Sequence, residues 1–498
     1  MNTIGYKQFG ALGDGRTNDI EAIRAAHLYA NEHGLKVKAD DGAVFYISDC
    51  DESVPVMTDV DWSGAEIIID DRNVPVEKRS IYIFEAVRDK AEYDGQINAV
   101  PVKYMKNLGI TLPENSMVLL TQTEKTAFVR KGVNANKGVQ LSDILFVYRD
   151  GTIDSDSPVL FDYDALPQVH VIPCEDKPIT LKGGTFTTLV QQDIKEGNYY
   201  YRGINIRRSN VTIDGIVHYN KGDDMGGAPY TAFLDACLCA DLTIKNCLFT
   251  PHITYKIRYD GEAPEGKPKT RGTYDCTPEK IVHLTFENCR QTIDILDNRY
   301  WGVMGSNHCR GVVIRNCEFS RFDTHTGAYN ITIDGCRLGH QCLSVTGWGL
   351  LSVTNTELYG HALINLRPDY GSNWDGDAVI RNCKWTPNRG GTLTSFCPVI
   401  GGNNEQDHDF GYSCSMPHHI TIDGLFIDDS RTEEGGGVCL LGNINPLRIS
   451  EEYEAAAEYR YGVPETISIR GLTTATGNKP VLSVNEFMYR DVRVEWEN

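Results

Sequence analysis

Long apolar runs and basic residues are both scarce in this chain of 498 residues. No apolar run approaches about eighteen residues, the length that favours a membrane-spanning helix, so we expect no membrane partner. Lysine and arginine number 48 against 68 aspartates and glutamates, which gives a formal net charge of −20. Because nucleic-acid binding needs clustered basic residues, this balance excludes nucleic acid as an expected partner. It also disfavours a strongly polyanionic substrate, unless a local basic cleft overrides the average charge.

The cysteines show no sign of a disulfide framework. They number fifteen, an odd count, and none forms a Cys-x-x-Cys pair. From the sequence we expect no secretion signal before the first predicted element. Reduced thiols in a cytoplasm therefore fit the sequence best, and a secreted chain whose signal has been removed would show the same pattern.

What the chain does contain is one short unit repeated nine times. Each copy alternates apolar and polar residues over four positions, continues with Asn or Gly, and ends on Cys, Leu, Ile or Thr. The alternation is typical of a β-strand, and Asn and Gly tolerate the left-handed backbone that turns a chain sharply. The copies are Val211–Ile216, Leu242–Cys247, Leu284–Cys289, Val312–Cys317, Ile331–Cys336, Leu351–Thr356, Ala378–Cys383, Ile420–Leu425 and Ile467–Leu472.

The spacing of these copies predicts an all-β solenoid. The third residues of neighbouring copies come as close as 19 positions, between Ile314 and Ile333, and the longer intervals indicate loops grown from a fixed corner. A β-sandwich would need hairpin signals between its strands, and Asn-Gly or Asp-Gly pairs are few. A propeller would need four strands in each repeat, which nineteen residues cannot hold.

Five cysteines share one position of the repeat, so a solenoid would stack them along one side at about 4.8 Å intervals. Side chains stacked in parallel cannot converge tetrahedrally on an ion. We therefore interpret them as buried thiols and expect no metal site. They are Cys247, Cys289, Cys317, Cys336 and Cys383.

The first fifty residues predict a capping helix. Thr17 or Asn18 is placed to cap it, an apolar stripe follows, and Gly34 ends it. The stretch F-G-A-L-G-D-G-R-T-N-D-I-E-A-I-R-A-A, with the Gly-ended helix and a strand pair after it, resembles the N-terminal signature of the pectate-lyase-like superfamily. That group includes relatives of rhamnogalacturonase, epimerase and polygalacturonase, and phage tailspikes. The resemblance implies a right-handed, single-stranded parallel β-helix whose open end is covered by the helix.

The rest of the chain divides around one interruption of the repeat. We expect residues 1–79 to form the cap and first coil, and residues 80–170 to form a small β-rich insertion that serves as a lid or an interface. Residues 171–498 would form the main β-helix with long loops. A short helix is predicted at 450–461, capped by Ser450 and stopped by Gly462 and Pro464.

Polar residues that follow the repeats at similar intervals predict a groove along one face of the solenoid. Aromatic surface beside carboxylates suits sugar rings, which have apolar faces and hydroxyl rims. Each residue also has a structural interpretation, such as an aspartate that caps a turn or a histidine satisfied in the core. The candidate catalytic residues are Asp323, His325, Asp297, Asp224, Asp223 and His340. The candidate substrate-binding residues are Arg299, Tyr300, Trp301, Tyr255, His252, His361, Arg367 and Trp374.

The segment Phe322–Ile333, F-D-T-H-T-G-A-Y-N-I-T-I, resembles the F-D-P-H motif and following strand of alginate-type C5-epimerases. That resemblance implies that Asp323 and His325 lie at a reaction centre, with His325 as a proton-transfer group. The tyrosine that those enzymes carry three residues before the aspartate is Ser320 here.

Three functions follow from this pattern. The first is a glycoside hydrolase, with Asp297 and Asp323 about 5 Å apart as a retaining pair, or Asp223 or Asp224 with Asp297 at an inverting separation. The second is a uronate lyase or C5-epimerase with His325 as base and an arginine that neutralises the acid group. The third is a glycan-binding or tailspike-like β-helix without catalysis. We expect a carbohydrate substrate and no cofactor, and a homo-oligomer is compatible with each function.

Overall fold

The computed structural model describes residues 3–132, 138–191, 199–223, 230–257, 259, 261–262 and 269–497, except for the side chains of residues 341 and 342. The chain forms two compact units, one of residues 1–91 and 174–306, the other of residues 92–173 and 307–498. Both contain stacks of parallel strands, and the described residues include two α-helices. The predicted parallel β-helix is therefore confirmed within each unit.

The first unit stacks its repeats in the register that the sequence predicts. Ile213 pairs with Ile244, and Ile244 pairs with Phe286. These residues form a column of stacked apolar side chains, one from each coil. Earlier coils extend this column, because Leu181 pairs with Ile213 on one side and with Val60 on the other. The strands are Thr3–Ile4, Asp14–Asn18, Lys36–Lys38, Val44–Ile47, Val54–Val56, Val60–Asp61, Glu66–Asp70, Phe84–Ala86, Ile179–Lys182, Thr185–Leu189, Ile204–Ile206, Val211–Asp214, Val217–Lys221, Leu234–Lys245, Leu248–Phe249, His252–Ile253, Tyr255–Lys256, Thr270–Arg271, Cys276–Glu287, Arg290–Gln291, Tyr300–Gly302 and Met304–Asn307, in which this unit ends.

The capping helix spans Ile20–His33 and ends, as predicted, at Gly34, whose φ of 63° is left-handed. Its N-cap is Asp19, so the prediction of Thr17 or Asn18 was wrong. Asn18 is instead the last residue of the strand Asp14–Asn18. The Asp19 carboxylate accepts the backbone N–H groups of Leu12 at 2.7 Å and Gly13 at 3.1 Å, so it holds the preceding loop. Short 3₁₀ turns in this unit are Tyr6–Phe9 and Val76–Lys78.

The second unit also stacks its repeats in the register that the sequence predicts. Ile314 pairs with Ile333, which pairs with Val353, and the series proceeds through Ile380, Ile422 and Ile469. Its parallel strands are Arg310–Arg315, Glu318–His325, Ala328–Asp334, Arg337–Val345, Gly347–Thr354, Glu357–Leu358, Ile364–Leu366, Trp374–Trp385, Phe396–Gly401, Cys414–Ser415, His419–Ile427, Gly437–Leu441, Tyr461–Gly462, Thr466–Arg470, Thr473–Thr474 and Arg493–Glu497. Its 3₁₀ turns are Pro368–Tyr370, Pro387–Gly390 and Glu486–Met488.

An antiparallel four-stranded sheet belongs to the second unit. Its strands are Tyr93–Gly95, Ser116–Phe128, Val139–Val147 and Gln168–Pro173. Its apolar core includes Val118, Leu145 and Val171, and Tyr370 from the coils packs into the same cluster. Phe84–Ala86, which falls within the predicted insertion of residues 80–170, instead pairs in parallel with Val54–Val56 in the first unit.

The turn residues of the repeat adopt the conformation that the sequence predicts. The Asn after the strand has a φ of 50° to 55° in every Asn copy, and Gly takes its place at φ of 61° to 75° elsewhere. Asn is the non-glycine residue that visits this region at low cost, so the corner can be repeated without strain. The positions are Asn246, Asn288, Asn316, Asn355 and Asn382, with Gly215, Gly335, Gly424 and Gly471.

The five repeat cysteines are all buried. The thiols of Cys336 and Cys383 donate weakly to backbone carbonyls at 3.3 to 3.5 Å, and the Cys336 sulfur also accepts the backbone N–H of Cys317. Burial raises the pKa of the Cys336 thiol to about 12. Such thiols act as small apolar groups that fill the column.

The predicted helix near the end of the chain is shorter than expected. Ser450 caps it and accepts the backbone N–H of Tyr453 at 3.1 Å, but the helix covers only Glu451–Ala456, so the predicted end at residue 461 was wrong. Tyr461 forms a short parallel strand with Cys414, and its hydroxyl donates to the Ser372 carbonyl at 2.7 Å. These tertiary contacts extend the chain before the sequence signals that stop a helix.

No helix within the described part of the chain is both long enough and apolar enough to cross a membrane.

Candidate functional site

The strand Glu318–His325 carries a buried cluster of charged side chains in the second unit. Asp323 is fully buried. One of its carboxylate oxygens lies 2.8 Å from Nη2 of Arg321 and 3.0 Å from Nε2 of His325. Its other oxygen accepts Nη1 of Arg367, which follows the strand Ile364–Leu366. The structure therefore brings together three predicted site residues, Asp323, His325 and Arg367. It adds Arg321 as a fourth member of the cluster.

The charges around Asp323 fix its ionisation state. Burial alone would raise its pKa, but the charges of Arg321, His325 and Arg367 outweigh burial and hold the pKa well below its usual range. A carboxylate in this setting stays ionised, so Asp323 is unsuited to donate a proton.

Arg367 links Asp323 to a second carboxylate. Its Nε and Nη2 donate to the two oxygens of Asp369 at 3.1 and 2.8 Å. Arg130, two residues after the strand Ser116–Phe128, donates to the same carboxylate through Nε at 2.7 Å, and its Nη2 lies 2.6 Å from that carboxylate. Both guanidinium groups lie over the ring of Tyr370, at 5.3 and 5.4 Å from its centroid. A cavity of about 270 Å³ borders the Asp369 side of the cluster.

His325 is the most exposed of the side chains that contact Asp323. Its side chain is 24% exposed, against 8% for Arg321 and 10% for Arg367. Because a carboxylate can only accept, the nitrogen that faces Asp323 carries the proton. In the neutral ring the lone pair then lies on Nδ1, and this tautomer suits a ring that transfers protons at Nδ1.

The neighbouring coils place Ser344 and Asn365 beside Asp323. Asp323 pairs with Ser344, which pairs with Asn365, and the Asn365 amide donates to the Ser344 hydroxyl at 3.2 Å. Two extra residues bulge the next strand between the pairs Phe319–Leu338 and Arg321–Cys342, and His340 falls within this bulge. The bulge changes the counting by which His340 was aligned with Asp323.

Two further predicted residues of the second unit lie apart from this pattern. Trp374 is fully buried and donates its indole N–H to the Gly349 carbonyl at 2.9 Å, so it offers no aromatic surface for a sugar. His361 is exposed, and its Nδ1 lies 3.3 Å from the Cys397 thiol.

In the first unit, four predicted residues lie close together in the sequence: Asp297 and Arg299 in a turn, and Tyr300 and Trp301 in the strand Tyr300–Gly302 that follows it. Arg299 chelates the Asp297 carboxylate, with Nε at 3.0 and 3.1 Å from its oxygens, and is 73% exposed. Its guanidinium lies over the half-exposed ring of Tyr300. The pKa of Tyr300 is raised, first by burial and then by the charges of Asp223 and Asp297. Trp301 is half-buried, and Asp224 lies outside the described residues.

The remaining two predicted residues of the first unit are buried. Tyr255 is 2% exposed and packs its ring edge-on against Tyr199 at 6.3 Å. His252 is 3% exposed, and its Nε2 lies 3.1 Å from Asp275. Neither presents the accessible surface that substrate binding requires.

His252 belongs to a buried network that sequence reasoning missed. Asp275, fully buried, also receives His218 Nδ1 at 2.8 Å, and His218 Nε2 lies 2.9 Å from the Thr188 hydroxyl. Burial pushes the pKa of Asp275 upward, but the charges and hydrogen bonds of the two histidines outweigh it and lower the pKa to about 2. His218 lies two residues beyond a repeat unit, which was the one sequence signal for this network.

No family model matches the sequence, and no curated protein does either. Among solved structures, the chain is similar to the tailspike gp61 of Pseudomonas phage phi297, at 12% identity over 95% of this chain and 80% of that one, with a TM-score of 0.49. It is similar to the Azotobacter vinelandii mannuronan C-5 epimerase AlgE6 A-module, at 10% identity over 99% of both chains and a TM-score of 0.40. An exopolygalacturonase from Thermotoga maritima matches at 10% identity over 94% and 91% of the chains, with a TM-score of 0.37. The assignment of this chain to the parallel β-helix fold rests on its own strand pairing.

Proposed function

We propose that the protein abstracts the proton alpha to the carboxylate of a uronate sugar in an acidic glycan, as a lyase or a C5-epimerase, with His325 as the base. The observation that carries this proposal is the pair Asp323–His325, backed by the guanidinium groups of Arg321 and Arg367. The pair combines a partly exposed imidazole with a buried carboxylate whose pKa is held well below its usual range. This is the arrangement that orients a histidine for proton transfer.

The proton and electrons have defined destinations in this reaction. His325 Nδ1 takes the proton from the sugar carbon, and Asp323 stabilises the imidazolium that forms through the 3.0 Å contact to Nε2. The electron pair of the broken C–H bond moves onto the substrate carboxylate, which gains a second negative charge. Elimination follows when the neighbouring glycosidic C–O bond breaks and the alkoxide takes a proton from water. Epimerisation follows when a proton returns to the opposite face.

The cluster supplies the positive charge that this intermediate needs. Three guanidinium groups, those of Arg130, Arg321 and Arg367, meet two carboxylates, those of Asp323 and Asp369. These five groups together are net positive, although the whole chain carries −20. The two inner guanidinium groups are nearly buried, and charges in a low-dielectric site act more strongly than charges in water. This is the local basic environment that an acidic substrate requires.

Glycoside hydrolysis fits the same residues less well. A hydrolase of the usual kind needs one carboxyl group that holds a proton and one that is ionised. Asp323 is held ionised by its cations, and the Asp297 carboxylate is chelated by Arg299. The cations around Asp323 lower its pKa, which is the opposite of what a general acid needs, and Asp297 has a cationic partner.

The test is product analysis with polyuronates and neutral glycans, carried out in deuterated water. Elimination gives products without added water and with the ultraviolet absorbance of an unsaturated uronate. Epimerisation gives no cleavage but incorporates one deuterium at the abstracted position. Either outcome should be lost in His325→Gln.

His419→Gln is the matched control for this test. His419 is an exposed histidine of the same unit, and its Nδ1 lies 2.8 Å from the Thr466 hydroxyl. It should retain wild-type turnover. Products heavier by one water per cleavage would instead establish hydrolysis, and full activity in His325→Gln would overturn the proposed base.

A further inference from the structure

Four ion pairs run in series from the antiparallel sheet to His325. Arg130 donates one hydrogen bond to Asp369 and makes a second ion-pair contact with it, Asp369 accepts two hydrogen bonds from Arg367, and Arg367 donates to Asp323. Asp323 in turn faces His325 at 3.0 Å. All five residues belong to the second unit, although Arg130 is 195 positions from His325 in the sequence.

The segment that follows the strand Ser116–Phe128 carries Arg130 and is hydrogen-bonded to the turn that carries Asp369 and to Phe410. The backbone N–H of Lys131 donates to the Asp369 carbonyl at 2.9 Å, and that of Val129 donates to the Phe410 carbonyl at 2.9 Å. Phe128 packs edge-on against Tyr370 at 5.6 Å between ring centroids. The backbone next to Arg130 is therefore held on both sides, which fixes where its guanidinium can reach.

We propose that Arg130 is a positioning residue for His325. The antiparallel sheet, which holds Arg130, then contributes to the geometry of the site. The inference rests on the proposed function for its kinetic consequence, but the coupling itself is a property of the side chains. Arg130 offsets the charge of Asp369 and fixes its orientation. Asp369 then presents Arg367 side-on, which directs the remaining nitrogen, Nη1, at Asp323.

The geometry gives a reason why removal of Arg130 should be felt at His325. Without Arg130, the negative charge of Asp369 falls on Arg367 alone and draws that guanidinium away from Asp323. Asp323 then loses one of the contacts that fix its orientation, and the imidazole it holds is less strictly kept in one tautomer. Small displacements of a catalytic group have large effects on rate, because the reacting geometry is narrow.

The experiment combines kinetics with nitrogen NMR of the full chain. We expect Arg130→Met to lower kcat on the polyuronate substrate about tenfold while KM changes less than twofold, because Arg130 does not touch the reacting atoms. In protein labelled with ¹⁵N-histidine, the His325 ring, identified by its absence from His325→Gln, should show one tautomer in the wild type. In Arg130→Met its two nitrogen signals should move towards each other, as expected for exchange between tautomers.

Lys131→Met is the matched control, since it removes the same charge one residue away. Lys131 contacts Asp407 at 2.8 Å and Glu405 at 3.4 Å. It should leave the kinetics within twofold and the His325 signals unchanged. Equal effects of the two variants would overturn the proposal, because net charge alone would then explain them.

Arg130→Lys serves as the second variant and guards against a folding defect in Arg130→Met. Lysine keeps the charge but lacks the fork that binds one carboxylate through two nitrogens, so it should rescue only part of the loss. Full rescue would overturn the positioning role. A wild type with no activity on any uronate, but with the NMR coupling intact, would overturn the proposed function and leave this inference standing.

Discussion

Replacing Asp323 with asparagine tests the electrostatic account of the candidate site most directly. The amide has nearly the same shape, so the change removes a charge while it keeps the packing. At 2.8 Å, the attraction of Asp323 for Arg321 is about 6 kcal/mol with an effective dielectric constant of 20, before desolvation is subtracted. Breaking a buried ion pair by removal of one partner typically costs about 3–5 kcal/mol, because a buried charge is left without compensation. Since Arg367 keeps Asp369, we expect a loss of about 3 kcal/mol in the free energy of unfolding of the second unit.

Hydrogen–deuterium exchange measured by mass spectrometry in increasing urea can detect this loss locally. Peptides from the strands Glu318–His325 and Arg337–Val345 should lose protection by the stated amount. Peptides from Leu234–Lys245 in the first unit provide an internal reference. The exchange of each peptide gives an opening free energy for its own segment. The comparison is therefore valid even if the two units unfold separately.

Asp334→Asn is the matched control for this prediction. Asp334 lies one coil away and accepts hydrogen bonds at 2.8 Å from Thr354 and Asn355, which an amide oxygen can also accept. Asp334→Asn should lower the free energy of unfolding by less than about 1 kcal/mol. If Asp323→Asn costs no more than Asp334→Asn, then Asp323 does not hold the buried guanidinium groups, and the reasoning on its charge fails.

Three other predictions follow from the structure. The folded-state pKa of Asp275 is lowered from 3.8 to about 2, so its ionised form stabilises the fold above pH 4, and that stability is lost as the pH falls towards 2. The difference in free energy of unfolding between wild type and Asp275→Asn, measured with urea, should therefore narrow by about 2 kcal/mol over this range. A difference that stays constant with pH would contradict this prediction. Trp374→Phe removes a buried indole bonded to Gly349, so thermal unfolding should show a loss of about 1–3 kcal/mol; an unchanged melting temperature would refute the burial. Asn316 has a left-handed φ of 52°, so Asn316→Val should lower the free energy of unfolding by about 1–2 kcal/mol, while Asn316→Gly should leave it nearly unchanged in the same assay. Equal losses in the two variants would contradict the left-handed turn.

The charged cluster was only partly predictable from the repeats. Asp323 and His325 lie two positions apart on one strand, so their proximity is a local property. The contact of Arg367 with Asp323 is less regular. Arg367 follows the strand Ile364–Leu366, and the strand Arg337–Val345 separates that strand from the one that carries Asp323. The register of His340 could not be predicted by counting, because a bulge of two residues has no signal in the alternation of apolar and polar residues.

Burial was harder to predict than position. Trp374, Tyr255 and His252 were expected on a groove because aromatic and imidazole groups suit sugars, yet all three side chains are buried. A large amphipathic ring satisfies the core equally well when its one polar atom finds a partner, as the indole of Trp374 does with Gly349. Sequence spacing gives no information on whether such a partner is present.

The sequence by itself determined the coil, its register and its corners. Alternation, an Asn or Gly that accepts left-handed backbone, and an apolar return residue are all local properties, and repetition aligns each copy with the next. Only the tertiary structure decided that Arg130 meets Asp369, that Asp275 gathers two histidines, and which aromatic rings are buried. Those contacts join segments that lie far apart in the chain through loops of irregular length, and their energy depends on distance and burial in three dimensions.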